Sequence, residues 1–144
     1  MASFKMIGPK PPSGRGWVYD PAGAFRVPTD IKQEVQRQAQ NLIDSILKPR
    51  YVQLPDKKTQ FNYLVDIHSK WRGPFFYLCS TYCSPGPNAL SPSFESKFAR
   101  LQYAGNGRFD LAYFRHTEKW CEIAQLLSLE ECLSWIESGH VFVP

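Results

Sequence analysis

A chain of 144 residues with 43% hydrophobic side chains is of single-domain size and long enough to bury a core. Its formal charge of +4 is too small to imply nucleic-acid binding, and in residues 1–27 Lys5, Lys10, Arg15 and Arg26 stand against Asp20 alone, so most of the excess lies in an arm and the body is close to neutral. No apolar run is long enough to span a membrane, no secretion signal opens the chain, and the scattered Cys79, Cys83, Cys121 and Cys132 do not resemble a disulfide framework; a soluble cytoplasmic protein with reduced thiols is expected.

Residues 1–27 read as a Pro/Gly-rich basic arm, and residues 28–144 as one α+β domain. In the arm, Pro9, Pro11 and Pro12 fix φ and remove amide donors, and Gly14 and Gly16 follow. Trp17, Val18, Tyr19 and Phe25 are suited to tacking its second half onto the domain, so partial order is expected. The first helix is predicted from Thr29 to Leu47. Ile31, Val35, Ala39, Leu42, Ile43 and Ile46 recur at steps of three and four. Thr29 or Asp30 is suited to cap it, and Pro49 is expected to end it.

A sheet is expected beneath that helix. Phe61 to His68 alternates, with Phe61, Tyr63, Val65 and Ile67 on one face, and Lys70–Pro74 reads as a hairpin connection. Phe75 to Tyr82 is apolar on both faces, as a covered central strand requires. Three prolines keep Ser84–Pro92 a loop. The next hairpin fixes its own register, because Gly105, Asn106 and Gly107 tolerate the positive φ of a tight turn. A three-residue loop there sets Tyr103 opposite Phe109, Leu101 opposite Leu111 and Ala99 opposite Tyr113, making one face wholly apolar. A one-residue slip would turn every side chain over. A short strand, Trp120 to Ala124, follows a three-residue turn at 117–119 that brings Trp120 beside His116 and Glu122 near Phe114. Ser128-Leu-Glu-Glu131 is a capping box opening a second helix, with Gly139 as its stop. The expected fold is a long amphipathic helix on a five-stranded antiparallel meander, closed by a short helix.

Residues with chemistry are sparse. Cys79 and Cys83 are four apart with no second compact ligand pair, so no metal site is expected and the cysteines are assigned to a strand and a loop. Asp66 and His68 share a strand face but lack a nucleophile with a local motif, and no cofactor is expected. Ser13–Gly16 lacks the Gly-Lys-Ser/Thr close of a phosphate loop.

The segments Phe98-Ala-Arg-Leu-Gln-Tyr, Phe109-Asp-Leu-Ala-Tyr-Phe-Arg, Lys119-Trp, Ser128-Leu-Glu-Glu-Cys-Leu-Ser-Trp-Ile and a terminal aromatic resemble a small bacterial domain family of unknown function. That resemblance covers the C-terminal third. It implies a helix paired with an antiparallel meander and an intracellular bacterial setting, and it carries no functional residue over.

The back of the sheet, away from Leu101 and Leu111, is the candidate surface. It is expected to present Phe98, Arg100, Phe114, His116 and Trp120, the residue types that anchor interfaces. A non-enzymatic module engaging an unidentified partner protein through this face or the arm is expected. One alternative is single-strand nucleic-acid binding, with Lys5, Lys10, Arg15 and Arg26 on phosphates and sheet aromatics on bases. Another is a ligand pocket or enzyme between helix and curved sheet, with Asp66, His68, Tyr113 and His116 in it.

Overall fold

The computed structural model describes residues 26–52, 61–86 and 91–144. Helix α1 (Thr29–Leu42) buries Val35, Ala39 and Leu42, and continues through a π-helical turn (Ile43–Leu47) that buries Ile43 and Leu47. A last turn, α2 (Lys48–Tyr51), follows without a break. Neither Thr29 nor Asp30 caps the start. Pro28 is the cap, extended at φ −60° and ψ 148°, and its carbonyl accepts the Lys32 N–H at 3.0 Å. Asp30 falls instead in the first turn, where the helix dipole favours a negative charge.

Pro49 does not end the helix. The Lys48 N–H reaches back five residues to the Ile43 carbonyl, and Pro49 enters in the first turn of α2. A proline is costly because it lacks an N–H and its ring crowds the carbonyl four residues before it. The widened π turn has already broken that four-residue ladder, so the proline is accommodated there. The stop comes at Val52, whose extended backbone closes on the Lys48 carbonyl.

Five antiparallel strands form a simple meander in chain order: β1 (Tyr63–Arg72), β2 (Phe75–Cys83), β3 (Ser93–Tyr103), β4 (Phe109–Phe114) and β5 (Trp120–Leu127). The β3–β4 register is the expected one, with Tyr103 opposite Phe109, Leu101 opposite Leu111 and Ala99 opposite Tyr113. Its loop has positive φ at Gly105 (86°), Asn106 (54°) and Gly107 (69°), and the Arg108 N–H closes on the Gly105 carbonyl.

Three expectations about the other strands are corrected. A bulge between Leu64 and Asp66 breaks the alternation predicted from Phe61 to Ile67, so Leu64 and Ile67 are buried while Phe61 is 82% exposed. The β1–β2 connection shrinks to Gly73-Pro74, because both strands extend towards it, pairing Arg72 with Phe75. Strand β5 runs past Ala124 to Leu127 over two irregularities, and the buried Asp110 carboxylate takes the Leu126 N–H at 3.0 Å where that residue turns to φ 55°.

Helix α3 (Leu129–Ser138) opens on the predicted capping box, with Glu131 N–H donating to the Ser128 hydroxyl and Ser128 N–H donating to the Glu131 carboxylate. Both helices lie on one sheet face. Val35, Ile43, Leu47, Phe76, Leu78, Leu101, Leu111, Leu129, Ile136 and Phe142 belong to a single apolar cluster. The chain end is tied to that same face by the Tyr82 hydroxyl, which donates to the Pro144 carbonyl at 2.6 Å.

A β-carbon at Gly107 would meet nothing within 4 Å, so Gly107→Val costs backbone strain alone. The expected loss is about 1–2 kcal/mol, read as a lower urea midpoint, with Asn106→Ala costing less and Arg108→Ala very little. An unchanged midpoint for Gly107→Val would show the turn to be wrongly described. Ser128→Ala removes one half of the capping box and should lower stability by about 0.5–2 kcal/mol in the same measurement.

Candidate functional site

The sheet face opposite the helices carries the candidate site. Strand alternation sends Phe75, Tyr77 and Cys79 of β2 to this face, and their partners on β3 are Gln102, Arg100 and Lys97. Arg100 faces Ala112 on β4, which faces Glu122 on β5, and Phe114 faces Trp120. Because Ala112 offers only a methyl group, the large Trp120 ring can lean over it towards β3 and β2. Its centroid lies 5.7 Å from that of Tyr77 and 5.1 Å from that of Phe114.

Arg100 sits in the middle of these rings. Its guanidinium carbon is 5.0 Å from the Phe75 centroid and 5.0 Å from the Trp120 centroid, within cation–π range of both. Its Nε is buried with no hydrogen-bond partner. Burial pulls its pKa below the ordinary arginine value, opposed by Tyr77, Glu122 and Asp110, and an arginine so shifted still stays charged. Lys97 adds a second cation, 5.6 Å from the Tyr77 ring centroid.

A polar cluster adjoins this cradle. The Glu95 carboxylate accepts from His68 Nε2 at 2.7 Å on one oxygen and from Lys70 Nζ at 2.8 Å on the other, with Lys97 Nζ 3.8 Å from the latter. The Lys70 hydrogen bond, followed by that of His68, holds the Glu95 carboxyl below its usual range. Cys79, fully buried, brings its sulfur within 4.8 Å of the His68 and Glu95 ligand atoms. Burial above all, with the Glu95 charge next, pushes its thiol up to about 11.

Of the predicted interface residues, Arg100, Phe114 and Trp120 come together here. Phe98 does not. It is 5% exposed and belongs to the helix-side core, because an irregularity pairs Leu78 with Ala99 but Cys79 with Lys97, leaving Phe98 as an extra residue in β3. His116 lies in the exposed β4–β5 turn rather than beside Trp120. Arg115 N–H bonds the Lys119 carbonyl, and Glu118 takes the left-handed position at φ 63°, which moves the loop one residue earlier. Trp120 therefore faces Phe114, and Glu122 faces Ala112. That two-residue change of partner preserves the face.

Lys5, Lys10 and Arg15 lie outside the described residues, as do Trp17, Val18, Tyr19 and Phe25, and Arg26 is exposed ahead of α1. The residues named for a pocket do not converge. Asp66 pairs with Lys48 at 3.1 Å, His68 with Glu95, Tyr113 packs on Phe142 on the helix side, and His116 is in the turn. Cys83 ends β2 rather than lying in the following loop. Phe75, Tyr77, Lys97 and Glu95 were not foreseen. The signal for the first two was present, since a strand apolar on both faces must send alternate aromatics to the back.

No helix among the described residues is long and apolar enough to cross a membrane. No curated protein and no solved structure matches this chain. One family, described as a domain of unknown function (DUF3024), matches residues 27–144, a span that takes in the described helices and all five strands of the sheet rather than the C-terminal third alone. The chain belongs to this DUF3024 family.

Proposed function

We propose that this domain is a small, non-enzymatic binding module that docks a partner protein on its aromatic sheet face, with Arg100 as anchor for a carboxylate of the partner. The observation that carries this reading is the placement of the Arg100 guanidinium between Phe75 and Trp120. Tryptophan, tyrosine and arginine are the side chains that most often dominate interface energetics. An arginine held by two rings has given up much of its rotamer freedom in advance, so less is lost when a partner binds. Its planar fork is matched to a carboxylate, and in a site screened from water by aromatic rings that pairing is stronger than on an open surface. The four cysteines are all free, which suits the reducing cytoplasm that we assign to this protein.

The measurement is the affinity of a protein captured by the tagged chain from cell extract, then purified and titrated against variants. Arg100→Ala and Trp120→Ala should each weaken binding by at least about tenfold, the scale of an interface anchor. Arg115→Ala, in the exposed β4–β5 turn, should leave it unchanged. Affinity indifferent to both face variants would sink the proposal. Single strands bound with a steep salt dependence, and released by Trp120→Ala, would instead establish stacking on bases with phosphates on basic residues.

A further inference from the structure

The polar cluster beside the aromatic cradle supports a different inference. We propose that His68, Cys79 and Glu95 bind one thiophilic divalent cation of the zinc class, using imidazole Nε2, a thiolate and one carboxylate oxygen, with water in the fourth position. The three ligands come from three adjacent strands of one sheet. His68 of β1 is the register partner of Cys79 of β2, and Glu95 of β3 lies one alternation further along. Their ligand atoms already lie within 4.8 Å of one another. A tetrahedral ion with bonds of about 2.0–2.3 Å needs its ligand atoms roughly 3.5 Å apart. The 2.7 Å His68–Glu95 contact must open slightly and the buried Cys79 sulfur be approached more closely, a small adjustment for the half-buried His68 and the exposed Glu95.

The donor set has the chemistry for such an ion. Nitrogen, sulfur and oxygen together suit zinc, whereas magnesium and calcium call for oxygen alone. Glu95 is oriented in the manner of a ligating carboxylate, because Lys70 holds one oxygen at 2.8 Å while the other faces His68. Hydrogen-bonded support of this kind fixes a ligand's direction and is a regular part of metal centres. Thiolate and carboxylate together offset the dication, and the Lys70 and Lys97 ammonium groups, which also face the cluster, remain with the outer carboxylate oxygen. On binding, the Cys79 S–H bond breaks, the sulfur lone pair goes to the metal and the proton goes to solvent. The Nε2 proton that His68 offers Glu95 also leaves to solvent, and the ring binds through the freed Nε2 lone pair as the neutral tautomer protonated on Nδ1. Nδ1 takes a proton from solvent where the ring was not already doubly protonated. No oxidant or reductant is involved.

Titration of the untagged, metal-free chain with Co²⁺ tests this. One equivalent should raise a thiolate-to-cobalt charge-transfer band, and Zn²⁺ should displace it, because a d¹⁰ ion loses no ligand-field energy in a four-coordinate site with a thiolate ligand. Cys79→Ser should abolish the band. His68→Ala and Glu95→Gln should each weaken binding by at least about tenfold, while Cys83→Ser, on the same strand, should leave it intact. No band with excess Co²⁺, a band that survives Cys79→Ser, or one lost in Cys83→Ser would overturn the proposal. If Cys79→Ser does not fold, as judged by circular dichroism, His68→Ala and Glu95→Gln decide the matter, and unchanged affinity in either overturns it. None of these variants touches Arg100 or its rings, so this outcome is separate from that of the docking experiment.

Discussion

At Phe98, β3 holds one residue more than the strand beside it, and the composition of both sheet faces depends on that surplus. A strict alternation would put Phe98 with Arg100 on the outer face and send Lys97 and Glu95 to the core. The irregularity instead lets Phe98 and Ala99 both turn inward, against Leu78 and the helices, while Lys97 and Glu95 turn outward. A large aromatic is thereby buried where it contributes on the order of 1.5–3 kcal/mol, and two charges avoid a burial that would cost several. The same step aligns Glu95 with His68, so the core's requirement and the polar cluster's geometry have one origin.

Confinement of the helices to one face gives the other its character. Antiparallel sheets usually carry polar residues on an uncovered face. Here the outer side of β2 and of the β4–β5 hairpin carries Phe75, Tyr77, Phe114 and Trp120, of which Phe114 is exposed and the others half-buried, and cations lie over the rings. Arg100 lies between two rings and Lys97 over a third. In each case the charged group itself lies over the ring face, where the ring quadrupole attracts it. The face is neither a dry patch that would drive aggregation nor a plain charged surface.

Legibility from sequence followed the range of the determining interaction. The Gly105–Gly107 turn, the register it imposes, and the Ser128–Glu131 capping box are written within a few residues, and all were read correctly. Bulges have no local signature. They arise where neighbouring strands compete for burial, so the parity of Phe61–Ile67 and the orientation of Phe98 were misplaced. Pro49 carries a strong local preference that the π turn before it overrode. The His68–Glu95 contact joins residues 27 apart in sequence, beyond the compact ligand pairs by which a metal site is sought in a chain. Phe75 and Tyr77 lay between these cases, visible as aromatics but assigned to a face only when β2 met β3.

The bulged outer strand has a consequence for how anything can assemble with this sheet. Recognition by strand addition needs a straight run of free amides and carbonyls along an edge. Strand β5 loses that regularity twice, and the amide of Leu126 is already taken by the Asp110 carboxylate. At the opposite edge, the outer strand is braced by the first helix through Lys48 on Asp66 and the Trp71 indole on the Lys32 carbonyl. The irregular rim at β5 is therefore a poor template for a foreign strand. A partner docking on the broad side of the sheet, as proposed above, would be recognised through side chains rather than through backbone pairing.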